Sequence, residues 1–211
     1  MSKTQRSLSI VFALFVAITL SSPAMADGKG PKSKPYSATE TFLGYIFENG
    51  SIPGTVTYYG PNMPKTIRGQ KVLYGKTSAS DLVQGIDLIT FDANFDVSGS
   101  GPSFGTRHIE AGTWNPGSCS GLANGQKCFT LYNPYLDPPV LQGVFTPSEN
   151  GCVWNGVFYS QLTVFGQIAI NSYAALDGSG TGCKGLSAIE TGYTNLATYN
   201  NDVNGTLYGL R

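Results

Sequence analysis

The chain is poor in charge, in histidine and in cysteine, and each shortage removes a class of function. Only 12% of its 211 residues are charged, about half the usual globular share. Lys and Arg number 13 and Asp and Glu 13, so no basic excess is present to neutralise nucleic-acid phosphates. A single histidine, His108, excludes a multi-histidine metal centre. There is no charge-rich, apolar-poor tract of the kind that leaves whole chains unfolded. The 27 Gly and 12 Pro lack a Gly-X-Y period, which excludes a collagen-like chain. No 3.6-residue apolar period of helical length is found, Ala79–Leu82 offering at most a single helical turn.

The one long apolar run is N-terminal. Lys3 and Arg6 precede an apolar stretch centred on Val11–Ile18, Pro23 breaks it, and Ala24-Met25-Ala26 supplies a small-x-small cleavage site. Residues 1–26 therefore read as a secretory signal peptide, and the expected location is periplasmic or extracellular. Without Lys3 and Arg6 the 13 basic residues become 11 against 13 acidic, a net charge of −2. No apolar run after the cut approaches the ~20 residues of a helical membrane span. Residues 27–35 read as a polar, disordered entry segment and 36–211 as a single domain.

All four cysteines, Cys119, Cys128, Cys152 and Cys183, fall after the cut, and an even count in an exported chain suggests two disulfides. The short Gly/Asn-rich loop between Cys119 and Cys128 favours that pair, which leaves Cys152 with Cys183. The spacings contain no C-x-x-C, so no metal site is expected; no cofactor motif is present either.

The remainder alternates apolar and polar residues between Gly, Pro, Asn and Ser punctuation. Ile89–Ser98 is the clearest strand: Ile89, Phe91, Ala93, Phe95 and Val97 on one face, Thr90, Asp92, Asn94, Asp96 and Ser98 on the other. Asp92, Asn94 and Asp96 point in parallel there, and Val97 stands where a calcium loop needs Gly, so a solvated face is expected and not a Ca²⁺ site. Further strands are expected at 39–48, 55–59, 66–74, 82–88, 106–114, 128–132, 140–146, 153–164, 167–176, 185–191 and 206–210, with a Pro-rich loop at 133–139. The fold expected is all-β, a single antiparallel β-barrel, with a β-sandwich as the alternative.

Three glycine-rich stretches carry a resemblance. They are Ser80-Asp81-Leu82 with Gly85 and 99–106 (GSGPSFGT), Asp177–Gly182 leading into Lys184-Gly185-Leu186, and Asn204–Gly209. Together, over 80–114 and 177–210, they resemble a set of uncharacterised exported bacterial β-barrel proteins. Their glycine pattern is similar to the eight-stranded barrels of the allene oxide cyclase and dirigent type. The resemblance implies a barrel with a central cavity. It covers nothing of 115–152 and carries over no catalytic residue.

Two constellations bear on chemistry. Gly101-Pro102-Ser103-Phe104-Gly105 matches the G-x-S-x-G nucleophile elbow, but a proline precedes the serine, a strand pattern follows it, and no acid stands between Ser103 and His108. It reads as a turn. On the strand 106–114, His108 shares a face with Phe104, Glu110 and Trp114, and His108 and Glu110 lie about 7 Å apart. An aromatic-flanked His–Glu pair on an inner face orients a ligand or acts as acid and base; on an outer face, with Ile109 and Ala111 inward, it does neither. The expected function is a non-enzymatic barrel that binds a small apolar or amphipathic ligand, or a surface partner, through His108, Glu110, Phe104 and Trp114. The alternatives are a cyclase- or isomerase-type enzyme using His108 and Glu110, an outer-membrane barrel, and a secreted interaction protein.

Overall fold

The computed structural model describes residues 32–46, 65–77, 84–96, 100–149, 151–163, 170–195 and 200–210. Pro31–Arg211 forms one compact unit; Met1–Gly30, with the expected signal peptide, lies outside the described residues, as do the expected strand 55–59 and the expected turn at 79–82.

The described secondary structure is entirely β: β1 Lys32–Ile46, β2 Lys65–Thr77, β3 Gly85–Phe95, β4 Ser100–Pro116, β5 Lys127–Tyr132, β6 Val140–Pro147, β7 Val153–Thr163, β8 Ile170–Ser179, β9 Ser187–Asn195 and β10 Asn200–Leu210. All neighbours are antiparallel. The order is β10-β9-β8-β7-β4-β3-β2-β1-β5-β6, and β10 also pairs with β1 and β4 with β6. The strands thus ring around: from β1 through β2, β3, β4, β7, β8, β9 and β10 the ladder returns to β1. The β5–β6 hairpin spans from β1 to β4 outside that circuit.

Two expectations change here. Residues 32–35 are strand and not an entry tail, because β10 pairs with them as far as Lys32 and Leu210. Pro35 is tolerated because β2 pairs with β1 only from Ala38 onward, so no ladder bond is lost on that side. The G-x-S-x-G stretch is likewise strand and not turn. Pro102 pairs with Gln161 of β7, while β3 pairs with β4 only from Ser103.

The period of two assigns the faces. On β4, Ser103, Arg107 and Ala111 are buried on the face the ring encloses, while Phe104 and Thr106 are exposed on the other. An apolar cluster fills part of the enclosed face: Tyr36, Ala111, Cys152, Trp154, Leu176, Cys183, Ala188, Val203 and Leu207. The opposite face of β1, β3 and β4 is covered by the β5–β6 hairpin, which buries Leu131 and Phe145 against Leu43, Ile86 and Trp114. Gly44 makes that arrangement possible. Register shifts between Phe42 and Gly44, φ is +149° at Gly44, and a Cβ there would stand 2.8 Å from the Tyr132 carbonyl oxygen. Past this bulge β1 takes β5 as a neighbour at Tyr45 and Ile46.

Candidate functional site

Next to the apolar cluster the enclosed face carries charge. Glu40 on β1, Asp87 on β3, Arg107 on β4, Glu190 on β9 and Asn201 on β10 are all buried. Each falls on the inward phase of its strand, so the alternation that buries Ile89, Ala93 and Val203 also buries these polar groups. Arg107 is the hub. Its Nε and Nη2 donate to Asp87 Oδ2 at 3.0 and 2.7 Å, Nη2 also to Glu40 Oε1 at 2.8 Å, and Nη1 to Glu190 Oε2 at 2.5 Å. Asn201 Nδ2 donates to Glu40 Oε2 at 2.7 Å, and the Tyr36 hydroxyl donates to Glu190 Oε1.

One oxygen is left over. Asp87 Oδ1 is fully buried and has no hydrogen-bond partner, a state it shares with Trp154 Nε1 among the buried side-chain atoms described. Buried polar atoms are rarely left this way. Burial pushes the Asp87 carboxyl up to about 7; Glu40 and Glu190 add to the rise, and Arg107 opposes it. Burial works against the Arg107 charge, but the three carboxylates outweigh it and hold the guanidinium well above its ordinary value. Burial, with Glu190 beside it, keeps the Tyr36 phenol protonated far above its usual range. Among the described residues, no group of three His, Cys, Asp or Glu is placed to hold a metal ion.

Small residues make room for this cluster. Gly205 pairs with Tyr36 across β1 and β10, and a Cβ on it would stand 2.4 Å from the Tyr36 ring. Gly75 pairs with Glu40, and a Cβ there would meet the Glu40 side chain at 3.0 Å.

Of the residues expected to form the site, His108 and Glu110 come together on the outer face, while Phe104 and Trp114 have other neighbours. His108 lies on the face opposite Arg107, its side chain 42% exposed, with Nδ1 2.8 Å from Asn155 Oδ1. Glu110 is 3.9 Å from His108 Nε2 and pairs with Lys127. Phe104 is exposed in a cross-strand row with Tyr159 and Tyr173. Trp114 has the same strand phase as His108 but is buried beneath the hairpin, beside Phe129. Of the two faces weighed for the His–Glu pair it takes the outer one, with Ile109 and Ala111 inward: the enclosed face of β4 belongs to Arg107 and its odd-numbered neighbours.

The cysteines divide. Cys119 and Cys128 form a disulfide, and no helix among the described residues is long and apolar enough to cross a membrane. Both findings are compatible with an exported protein. Cys152 and Cys183, expected as a second bridge, stand as two buried thiols in one apolar cluster. Cys183 Sγ donates to the Ser179 carbonyl at 3.0 Å. A buried thiol behaves there as a small hydrophobe.

No family model, curated protein or solved structure matches this chain. The site is therefore defined by its own chemistry.

Proposed function

We propose that the ring is a closed β-barrel and that the protein, exported from the cell, holds a small amphipathic molecule on the enclosed face, with its polar end at the Asp87–Arg107 cluster. A pairing circuit in which each strand has a neighbour on both sides is what a barrel requires, whereas a sandwich would interrupt it. The observation that carries the ligand reading is the orphaned Asp87 Oδ1. A buried carboxyl oxygen without a partner costs stability, and a ligand that hydrogen-bonds it removes that cost. Apolar surface from Ile89 and Ile109 lies on the same face, beside Asp87.

Native mass spectrometry of protein purified from the exported fraction tests this. The expected result is a co-purified small molecule of defined mass, lost in Asp87→Leu. Apo protein from every preparation, with no small molecule raising its melting temperature, would sink the reading. A cyclase- or isomerase-type activity has its support in Asp87, whose carboxyl near 7 suits proton transfer at neutral pH, and none in His108 and Glu110 on the other face.

A further inference from the structure

We infer that Asp87 Oδ1 anchors an ammonium group, so that the molecule held on the enclosed face is an amphipathic amine; this rests on the small-ligand reading above. The argument is one of charge and donors. Arg107 is the only buried cation among the described side chains, and it faces three carboxylates. Every other oxygen of those carboxylates has a partner: Asp87 Oδ2 and Glu40 Oε1 from Arg107, Glu40 Oε2 from Asn201, Glu190 Oε2 from Arg107 and Glu190 Oε1 from Tyr36. With all three acids ionised the cluster carries an excess of two negative charges, and with a proton on Asp87 an excess of one. In either state it is short of positive charge among the described side chains, and the atom left open is an acceptor.

A buried excess of this sign favours a cation over a neutral or anionic guest. No described acidic triad is placed for a metal, so the guest's charge comes with N–H donors. A primary ammonium supplies them, and its alkyl body meets Ile89 and Ile109. The charged groups acting on Asp87 are Arg107 from β4, Glu40 from β1 and Glu190 from β9, with Tyr36 of β1 bonded to Glu190 and Asn201 of β10 to Glu40; β2 brings Leu73 into register with Asp87 and Lys71 with Ile89. An arriving ammonium needs Asp87 ionised, so it displaces the proton and binds more tightly as pH rises.

The test is calorimetric titration of the intact protein with hexylamine, hexyltrimethylammonium and 1-hexanol. Hexylamine stays protonated throughout, since alkyl ammonium groups titrate near about 10. The expectation is binding of hexylamine about tenfold tighter at about pH 8 than at about pH 6, with proton release detected by changing the buffer's ionisation enthalpy. Hexyltrimethylammonium, without N–H donors, and 1-hexanol, without charge, bind about tenfold more weakly or less. Asp87→Asn removes the preference for the amine. The probe series on wild type keeps the test decisive even if that variant does not fold. Hexanol binding as tightly as hexylamine would overturn the amine assignment and leave the small-ligand reading standing. Hexylamine binding to Lys71→Met but not to wild type would overturn it too, since the chain would then supply its own counter-charge. If no probe binds and no molecule co-purifies, both readings fall.

Discussion

At the scale of residues, one guanidinium organises acids delivered by β1, β3 and β9. Asp87 gives this cluster a pH signature. Its carboxyl sits at about 7 in the folded chain against an ordinary 3.8. A group raised in this way binds a proton more tightly when folded. Its contribution is fully present below the ordinary value, is lost progressively as pH rises to about 7, and changes no further above that. Urea denaturation across this window should show stability falling with pH by at most about 1.4 kcal/mol per unit from this one group. Asp87→Asn should flatten that component; an unchanged slope in the variant would remove Asp87 as its source. The cluster was only partly legible in the sequence. Extending the alternation of Ile89–Val97 back by one step puts Asp87 on the buried face, and the phase of β4 that exposes His108 buries Arg107. The only histidine does not mark this cluster, because residue type says which chemistry is available and strand phase says where it points.

At the scale of elements, each of the ten described strands has a counterpart in the alternation, including β3, whose outward Thr90 and Asn94 and buried Ile89 and Ala93 follow it directly. Their lengths were less legible. Strands β1, β4 and β10 run beyond their expected starts, because pairing partners extend into segments that look like tail or turn. Several glycines lie inside strands, where they leave space for large side chains: Gly112 for Phe145, Gly143 for Trp114 and Gly205 for Tyr36. Gly205 makes this measurable. Gly205→Val should drive its side chain into the Tyr36 ring, cost about 1–3 kcal/mol as overpacking does, and separate the Tyr36 hydroxyl from Glu190. Thermal unfolding of the variant checks the first effect. A melting temperature equal to wild type would mean that the ring moves aside freely.

At the scale of the whole molecule, the four cysteines sort into one bridge that ties the start of β5 to the loop before it and two thiols enclosed by the ring. A thiol reagent should therefore leave the native protein unmodified and label two cysteines per chain once it is denatured without reductant. Finding none would establish a Cys152–Cys183 bridge in the purified protein, as the even cysteine count suggests. The sequence could not decide this, since pairing depends on which strands bring 152 and 183 together, and strand order is set by long-range packing.

The pairing of β1 with β10 has a consequence in time. Lys32 meets Leu210, and Thr41 meets Asn200, so β1 finds this neighbour only in β10, far along the chain. Loop closure over such a span is slow relative to local hairpin formation. Until β10 is available, β1 presents an open row of backbone donors and acceptors along most of its length. The ring therefore closes only once β10 has been made, and a copy that lacks β10 exposes the edges of β1 and β9 that β10 otherwise joins.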